Sequence, residues 1–234
     1  TFCAQVRGPA SNLCHNQCMP YRTQSLATNE YYHCFNRGVE KRKLFIDQDD
    51  YQYFIQSIEA FNSEAILGKQ RLHKAAKTDT PIVNVLTYSL LPNHFHLVLQ
   101  QVVEDGITIF MHRVNTSYSM YFNKKYGRSG ALFQGAFKLK HISSDDYLAH
   151  IFRYIHLNPL ELEFGDWKQA ASSLNLLAAE AFLLSYSYSS YVDHHQRRNE
   201  GVLLAPLAYQ LCSPEPLGRM AELYLFEENE RQRK

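Results

Sequence analysis

Two imidazoles and a phenol are the side chains in this sequence best placed to do chemistry. His94 and His96 flank Phe95 inside the run Leu90-Leu91-Pro92-Asn93-His94-Phe95-His96-Leu97-Val98-Leu99. In an extended strand alternate residues share a face, so the two histidines project side by side while Phe95, Leu97 and Leu99 turn the other way. Such a pair can grip a metal ion, although a half-exposed strand with two polar residues reads the same. Further on, Arg153-Tyr154-Ile155-His156-Leu157-Asn158-Pro159 closes a helical pattern that begins near Ser144. At about 100° per residue, Leu148, Ile151, Phe152 and Ile155 gather into a core stripe. Tyr154 lies off that stripe, and Asn158 sits one turn above it on the same flank. Pro159 is expected to stop the helix. A phenol hydroxyl and a carboxamide oxygen then point the same way; the plain alternative is a boundary tyrosine followed by a helix-ending Asn-Pro pair.

The surrounding pattern supplies elements that could position these groups. Glu30 to Asn36 alternates as a first strand. Asp47 can cap a helix whose buried stripe is Tyr51, Phe54, Ile55, Ile58 and Phe61. A long polar connection, Asn62 to Thr80, leads to a hairpin of Ile82 to Leu90 and His94 to Gln100 about Pro92-Asn93. A helix from about Asp105 to Tyr126, a strand near Phe137 to Ile142 and the Tyr154 helix complete the order. Strand, helix, two strands, helix, strand is the split βαβ arrangement of ferredoxin-like α+β folds, an antiparallel βαββαβ sheet with helices. Beyond Pro159, Ala170 to Ser185 and Ala221 to Glu230 read as helices of a C-terminal extension. The expected division is 1–28 as a poorly ordered leader, 29–160 as the site-bearing domain and 161–234 as the helical extension.

The chain has 234 residues, 45% of them hydrophobic, enough for one good core and a small accessory piece. No apolar run approaches the ~20 residues that span a bilayer, and Thr1 to Cys18 holds no continuous hydrophobic segment such as a signal peptide needs. Met19-Pro20-Tyr21-Arg22 reads like a natural start. Five cysteines, Cys3, Cys14, Cys18, Cys34 and Cys212, are an odd and uneven set, which argues for a reducing compartment, by default the cytoplasm. A zinc site from Cys14, His15 and Cys18 with Cys3 or His33 matches no standard spacing. The net charge of +1 hides an imbalance: Ile107 to Ser144 holds Arg113, Lys124, Lys125, Arg128, Lys138 and Lys140 with no Asp or Glu. Much of the aromatic content there follows buried-face helical spacing. The glycine-bearing loop Asn123 to Gly135, with Lys124, Lys125 and Arg128, is the part expected to meet an anion.

Four segments taken together resemble a known family. Tyr32-His33-Cys34-Phe35-Asn36-Arg37-Gly38, Leu91-Pro92-Asn93-His94-Phe95-His96-Leu97, Gly130-Ala131-Leu132-Phe133-Gln134-Gly135 and Tyr154-Ile155-His156-Leu157-Asn158-Pro159 resemble, in order and spacing, the single-tyrosine HUH (IS200-like) transposases and among them the REP-associated tyrosine transposases. The resemblance covers about residues 29 to 160, with a weaker echo at Tyr186-Ser187-Tyr188-Ser189-Ser190-Tyr191. It implies a ferredoxin-like nuclease that cuts single-stranded DNA, at hairpins or palindromic repeats, through a covalent tyrosine link. Position by position, it makes His94 and His96 metal ligands, Asn158 the third ligand and Tyr154 the nucleophile. One departure is Ala136, where the family commonly has arginine and a phosphate contact.

The side chains suit that chemistry. A phenol with a pKa near 10 is a poor nucleophile at neutral pH, so the phosphate it attacks must be polarised. Two imidazoles and an amide oxygen can hold Mg2+ or Mn2+ with positions left open. Arg37, Arg113, Lys124, Lys125, Arg128, Lys138 and Lys140 are the candidate DNA contacts, and either a monomer or a homodimer could cut. Two rivals use the same residues differently. A non-catalytic DNA-hairpin-binding protein needs the cations but not Tyr154, and a water-using metal phosphodiesterase needs the histidines but not Tyr154.

Overall fold

The computed structural model describes residues 26–63, 80–169, 171–196 and 203–232. The expected leader, including the Cys14 and Cys18 zinc idea, and most of the 62–80 connection lie outside them. Strands β1 (Tyr31–Arg37), β2 (Val83–Leu91), β3 (His94–Gln101) and β4 (Lys138–Ile142) form one antiparallel sheet in the order β2-β3-β1-β4. Helix α1 (Gln48–Ala60) joins β1 to β2, and α2 (Gly106–Lys125) joins β3 to β4. This is the ferredoxin-like α+β arrangement.

Local chemistry sets the helix ends. Asp47 and Asp50 form a reciprocal capping box at the start of α1, satisfying amides that the first turn leaves without partners. Tyr51, Phe54, Ile58 and Phe61 are buried as their spacing requires, whereas Ile55 is only partly covered. Helices α1 and α2 cover one face of the sheet, where Phe54 and Phe95 meet with ring centroids 4.9 Å apart. Because Phe95 and His96 point to opposite faces, the other face is left for the histidines.

Helix α3 (Asp145–Leu157) crosses that second face. Ser144 caps it by accepting from the Tyr147 amide, and Leu148, Ile151, Phe152 and Ile155 are buried beneath it. Pro159 does not end the helical path. Asn158 and Pro159 keep right-handed helical dihedrals and lead into α4 (Leu160–Phe164), since a proline is compatible with a first helical turn, whose amides need no intrahelical acceptor.

The extension continues as α5 (Leu176–Ser185), α6 (Tyr191–Gln196), α7 (Pro206–Leu211) and α8 (Leu217–Gln232), the last longer at both ends than the sequence pattern suggests. Its Tyr188-Ser189-Ser190 segment lies along the free edge of β2. Leu90 N–H donates to Tyr188 O and Ser190 N–H to Tyr88 O, each at 2.9 Å. A buried hub ties the same segment to α3: the Thr87 hydroxyl is 2.7 Å from the Ser190 hydroxyl and 3.0 Å from His156 Nε2. An otherwise open strand edge is thereby covered, which gives the weaker 186–191 echo a structural role. Among the described residues no helix is long and apolar enough to cross a membrane.

Buried neutral imidazoles make the fold acid-sensitive. Burial lowers His33 and His194 to about 4, while an unfolded chain takes up these protons near the ordinary 6.5. Between those values the unfolded state binds more protons, so stability should fall as pH drops from 6.5 toward 4, by about 1 kcal/mol per pH unit for each histidine. Thermal melts at pH 7 and pH 5 check this. Equal melting temperatures would mean that these rings are not held neutral in the folded chain.

Candidate active site

Register brings the site residues onto one surface. Phe35 pairs with His96 and Arg37 with His94 across β1 and β3, while Phe35 pairs with Lys138 and His33 with Lys140 across β1 and β4. Alternation then puts His33, Phe35, Arg37, His94, His96, Lys138 and Lys140 on the face that α3 crosses.

His96 is at the centre and only 5% exposed. Its Nε2 lies 3.4 Å from the Tyr154 hydroxyl, at the loose end of hydrogen-bond range. Its Nδ1 shares a 2.9 Å hydrogen bond with Nε2 of His33. Phe35 stacks on both His33 and His96, which fixes the plane of the two rings. The His94 ring stands perpendicular to that of His96, with centroids 5.1 Å apart, and His94 Nδ1 is 2.6 Å from Asn93 Oδ1. Since that amide oxygen only accepts, Nδ1 carries the proton and Nε2 of a neutral His94 is a bare lone pair. Burial, with Arg37 adding to it, lowers His94 to about 4. Burial, with the neighbouring imidazoles His33 and His94 adding to it, pushes His96 well below its usual range.

Tyr154 approaches from α3. Burial raises its pKa above that of a free phenol, and the nearby Lys168 ammonium pulls it back only in part. Asn158, one turn on, is 3% exposed, and its Nδ2 has no hydrogen-bond partner among the described residues. The structure thus gathers His94, His96 and Tyr154 on one face, with Asn158 one turn from Tyr154. Among the described residues no three His, Cys, Asp or Glu side chains form a metal cluster; the donor set here is two imidazoles and a carboxamide.

The cations that the sequence groups together are separated. Arg37, Lys138 and Lys140 surround the histidines. Lys124, Lys125 and Arg128 belong to the α2 side of the sheet, as does the partly buried Arg113. Lys125 is already engaged: its ammonium is 2.7 Å from Asp47 and 2.9 Å from Asp50. The acid-free stretch is neutralised by α1, more than seventy residues away in sequence, so Lys125 is a structural cation here rather than a waiting phosphate contact. Arg128 lies over the Phe122 ring and donates to Asn123, whereas Lys124 is exposed. The second half of the loop anchors the site instead, because Gln134 N–H donates to Arg37 O and Asn36 Nδ2 to Gly135 O.

Asp50, fully buried, is the hub of that ion cluster. Burial pushes its carboxyl up, but Lys125, the Ile46 and Asp47 amides and Tyr126 together hold it below the usual range. Asp50→Ala should cost about 2 kcal/mol through the lost cap and the donors left unpaired. A denaturant titration measures this, and a loss below about 0.5 kcal/mol would contradict the role given to the cluster.

Sequence reading overlooks three neighbours of the site. His33 sits in an alternating strand two residues before Phe35, a spacing that could have exposed it. Lys168 and Tyr224 carry no local signal. The Lys168 ammonium is 5.9 Å from the Tyr154 ring centroid and 5.6 Å from that of Tyr224.

A ferredoxin-like sheet with a His-Phe-His strand facing a tyrosine-bearing helix is the layout that the four sequence segments lead one to expect. Residues 27–158 match the family described as IS200-like transposases; this is more than half of the chain, and the chain belongs to that family. Among solved structures, one similar chain is a REP-associated tyrosine transposase bound to a REP hairpin. It shares 14% identity with a TM-score of 0.48, over 79% of this chain and 90% of that one. No curated protein matched the sequence.

Proposed function

We propose that this transposase-family chain is a metal-dependent single-stranded DNA endonuclease and strand transferase that works through a 5′-phosphotyrosine on Tyr154. The observation that carries the reading is the 3.4 Å approach of the Tyr154 hydroxyl to His96, on the sheet face that also bears His94. The Tyr154 oxygen attacks a backbone phosphorus, a bond to phosphorus forms and the bond to the 3′-oxygen breaks. The phenol loses its proton and the leaving oxygen gains one, so the linkage is exchanged rather than hydrolysed and a 3′-hydroxyl can reverse it. Tyr154 and His96 of one chain already face each other, which supports cutting within a monomer.

The residues present fit a divalent ion, Mg2+ or Mn2+. His94 offers a bare Nε2, His96 is held by its His33 bond and buried in the neutral form, and Asn158, buried one turn beyond Tyr154, has a carboxamide oxygen as its ligating atom. His94, His96 and Asn158 would hold the ion, which when bound would supply polarisation of a phosphate oxygen. His33 and Asn93 orient the two imidazoles, as the outer partners of ligating histidines do. Arg37, Lys138 and Lys140 receive the DNA backbone beside them. The motif resemblance suggests hairpin or palindromic repeat DNA as the substrate, and the odd, uneven set of cysteines suggests the cytoplasm as its setting.

The test is a pool of labelled DNA hairpins with randomised unpaired flanks, incubated with the protein and Mn2+ or Mg2+ and then denatured. A shifted protein–DNA species whose modified peptide contains Tyr154 is expected. Attachment at another residue, or cleavage without any adduct, would overturn the assignment.

A further inference from the structure

Tyr154 is flanked on the side away from the sheet by a group of titratable residues outside the family-matched span, and the proposed reaction gives this group no task. Lys168 lies between α4 and α5, Glu161 on α4 and Tyr224 on α8. The Lys168 ammonium is 2.8 Å from Glu161 Oε1 and sits over the faces of both Tyr154 and Tyr224, whose rings stack with centroids 6.3 Å apart.

The backbone that delivers this lysine is fixed. Trp167, next to it, is fully buried in the cluster formed by the extension. A turn closes around it through Trp167 N–H to Gly165 O at 2.9 Å and Gln169 N–H to Asp166 O at 3.2 Å. Gly165 supplies the left-handed φ of 57° that begins the turn, a conformation glycine adopts without steric cost. A lysine on a braced turn loses less freedom on meeting a ligand than one on a loose loop. Its side chain is 30% exposed, so a ligand can reach it. An exposed Lys–Glu pair contributes little stability by itself, and pairing with Glu161 does not require the ammonium to sit over Tyr154.

We propose that Lys168 is an anion-binding residue of the site, meeting the DNA phosphate that becomes joined to Tyr154. This rests on the Tyr154 nuclease reading above. The phosphate group bears negative charge before, during and after the exchange, and Lys168 donates hydrogen bonds to it without giving up a proton. Glu161 keeps the ammonium charged and aimed, and Lys168 in turn shields the incoming phosphate from that carboxylate. Arg37, Lys138 and Lys140 approach from the sheet and Lys168 from the extension, so the phosphate is held from two sides.

Lys168→Gln and Lys168→Arg in the full chain test this with the labelled hairpin pool and Mn2+. Lys168→Gln should slow formation of the Tyr154 adduct by about 10²- to 10³-fold at saturating DNA, in the range of losing one preorganised donor to developing charge. It should also flatten the salt dependence of binding by a slope of roughly 0.7, one single-strand phosphate contact. Lys168→Arg keeps the cation and should recover most of the rate. Wild-type rate and salt slope in Lys168→Gln would overturn the proposal while leaving the Tyr154 reading intact. Equal loss in both variants with a lowered melting temperature would make Lys168 structural, which also overturns it. If the wild-type chain forms no Tyr154 adduct at all, the nuclease reading fails first and this inference with it.

Discussion

Tyr154→Phe is expected to abolish the covalent protein–DNA species, a loss of at least ~10⁴-fold, while leaving the fold and DNA binding nearly unchanged. The substitution removes one oxygen. The ring keeps its edge contacts with His33 and His96 and its stacking on Tyr224. The hydroxyl itself makes only a 3.4 Å contact, so its loss should change stability by less than about 1 kcal/mol. In the proposed reading, hairpin binding rests on Arg37, Lys138 and Lys140, which the substitution does not touch. This variant separates the three readings of the site. A strand transferase loses all cutting, a water-using phosphodiesterase continues to cut, and a simple hairpin binder shows no cutting in either form. Residual adduct in Tyr154→Phe would place the nucleophile elsewhere.

How far sequence reaches depends on the range of the interaction being read. The His94 and His96 face follows from strand alternation, and the Tyr154 and Asn158 flank from helical spacing, because both are fixed by backbone geometry within a few residues. The order of elements up to α3 also follows, since most of these strands and helices carry their own apolar period and α1 and α3 their own caps. What fails is whatever depends on distant partners. Lys125 reads as a free cation in an acid-free stretch, yet Asp47 and Asp50 reach it from another helix. Lys168 stands in a segment with no periodicity and arrives beside Tyr154 only because Trp167 is buried in the extension. His33 is intermediate: its strand is legible, but its bond to His96 requires the β1–β3 register.

Removing the imidazoles should separate metal binding from folding. If His94, His96 and Asn158 hold a divalent ion, Mn2+ should raise the wild-type melting temperature in proportion to RT ln(1 + [L]/Kd), about 2.7 kcal/mol at a hundredfold excess over Kd. His94→Ala should lose that increment and at least ~10³-fold of the cleavage rate, with little cost to the apo fold, because its ring sits at the rim of the site. His96→Ala should lose the same increment and also lower apo stability, since His96 is buried between His33, Phe35 and Tyr154 and its removal leaves a cavity. His33→Ala should weaken Mn2+ by about 10- to 100-fold rather than abolish binding, as expected of a group that orients a ligand without being one. The three variants therefore have different signatures, readable from melts with and without metal. A Mn2+ increment that survives in the His94→Ala, His96→Ala double variant would place the metal elsewhere and leave the paired histidines a structural role.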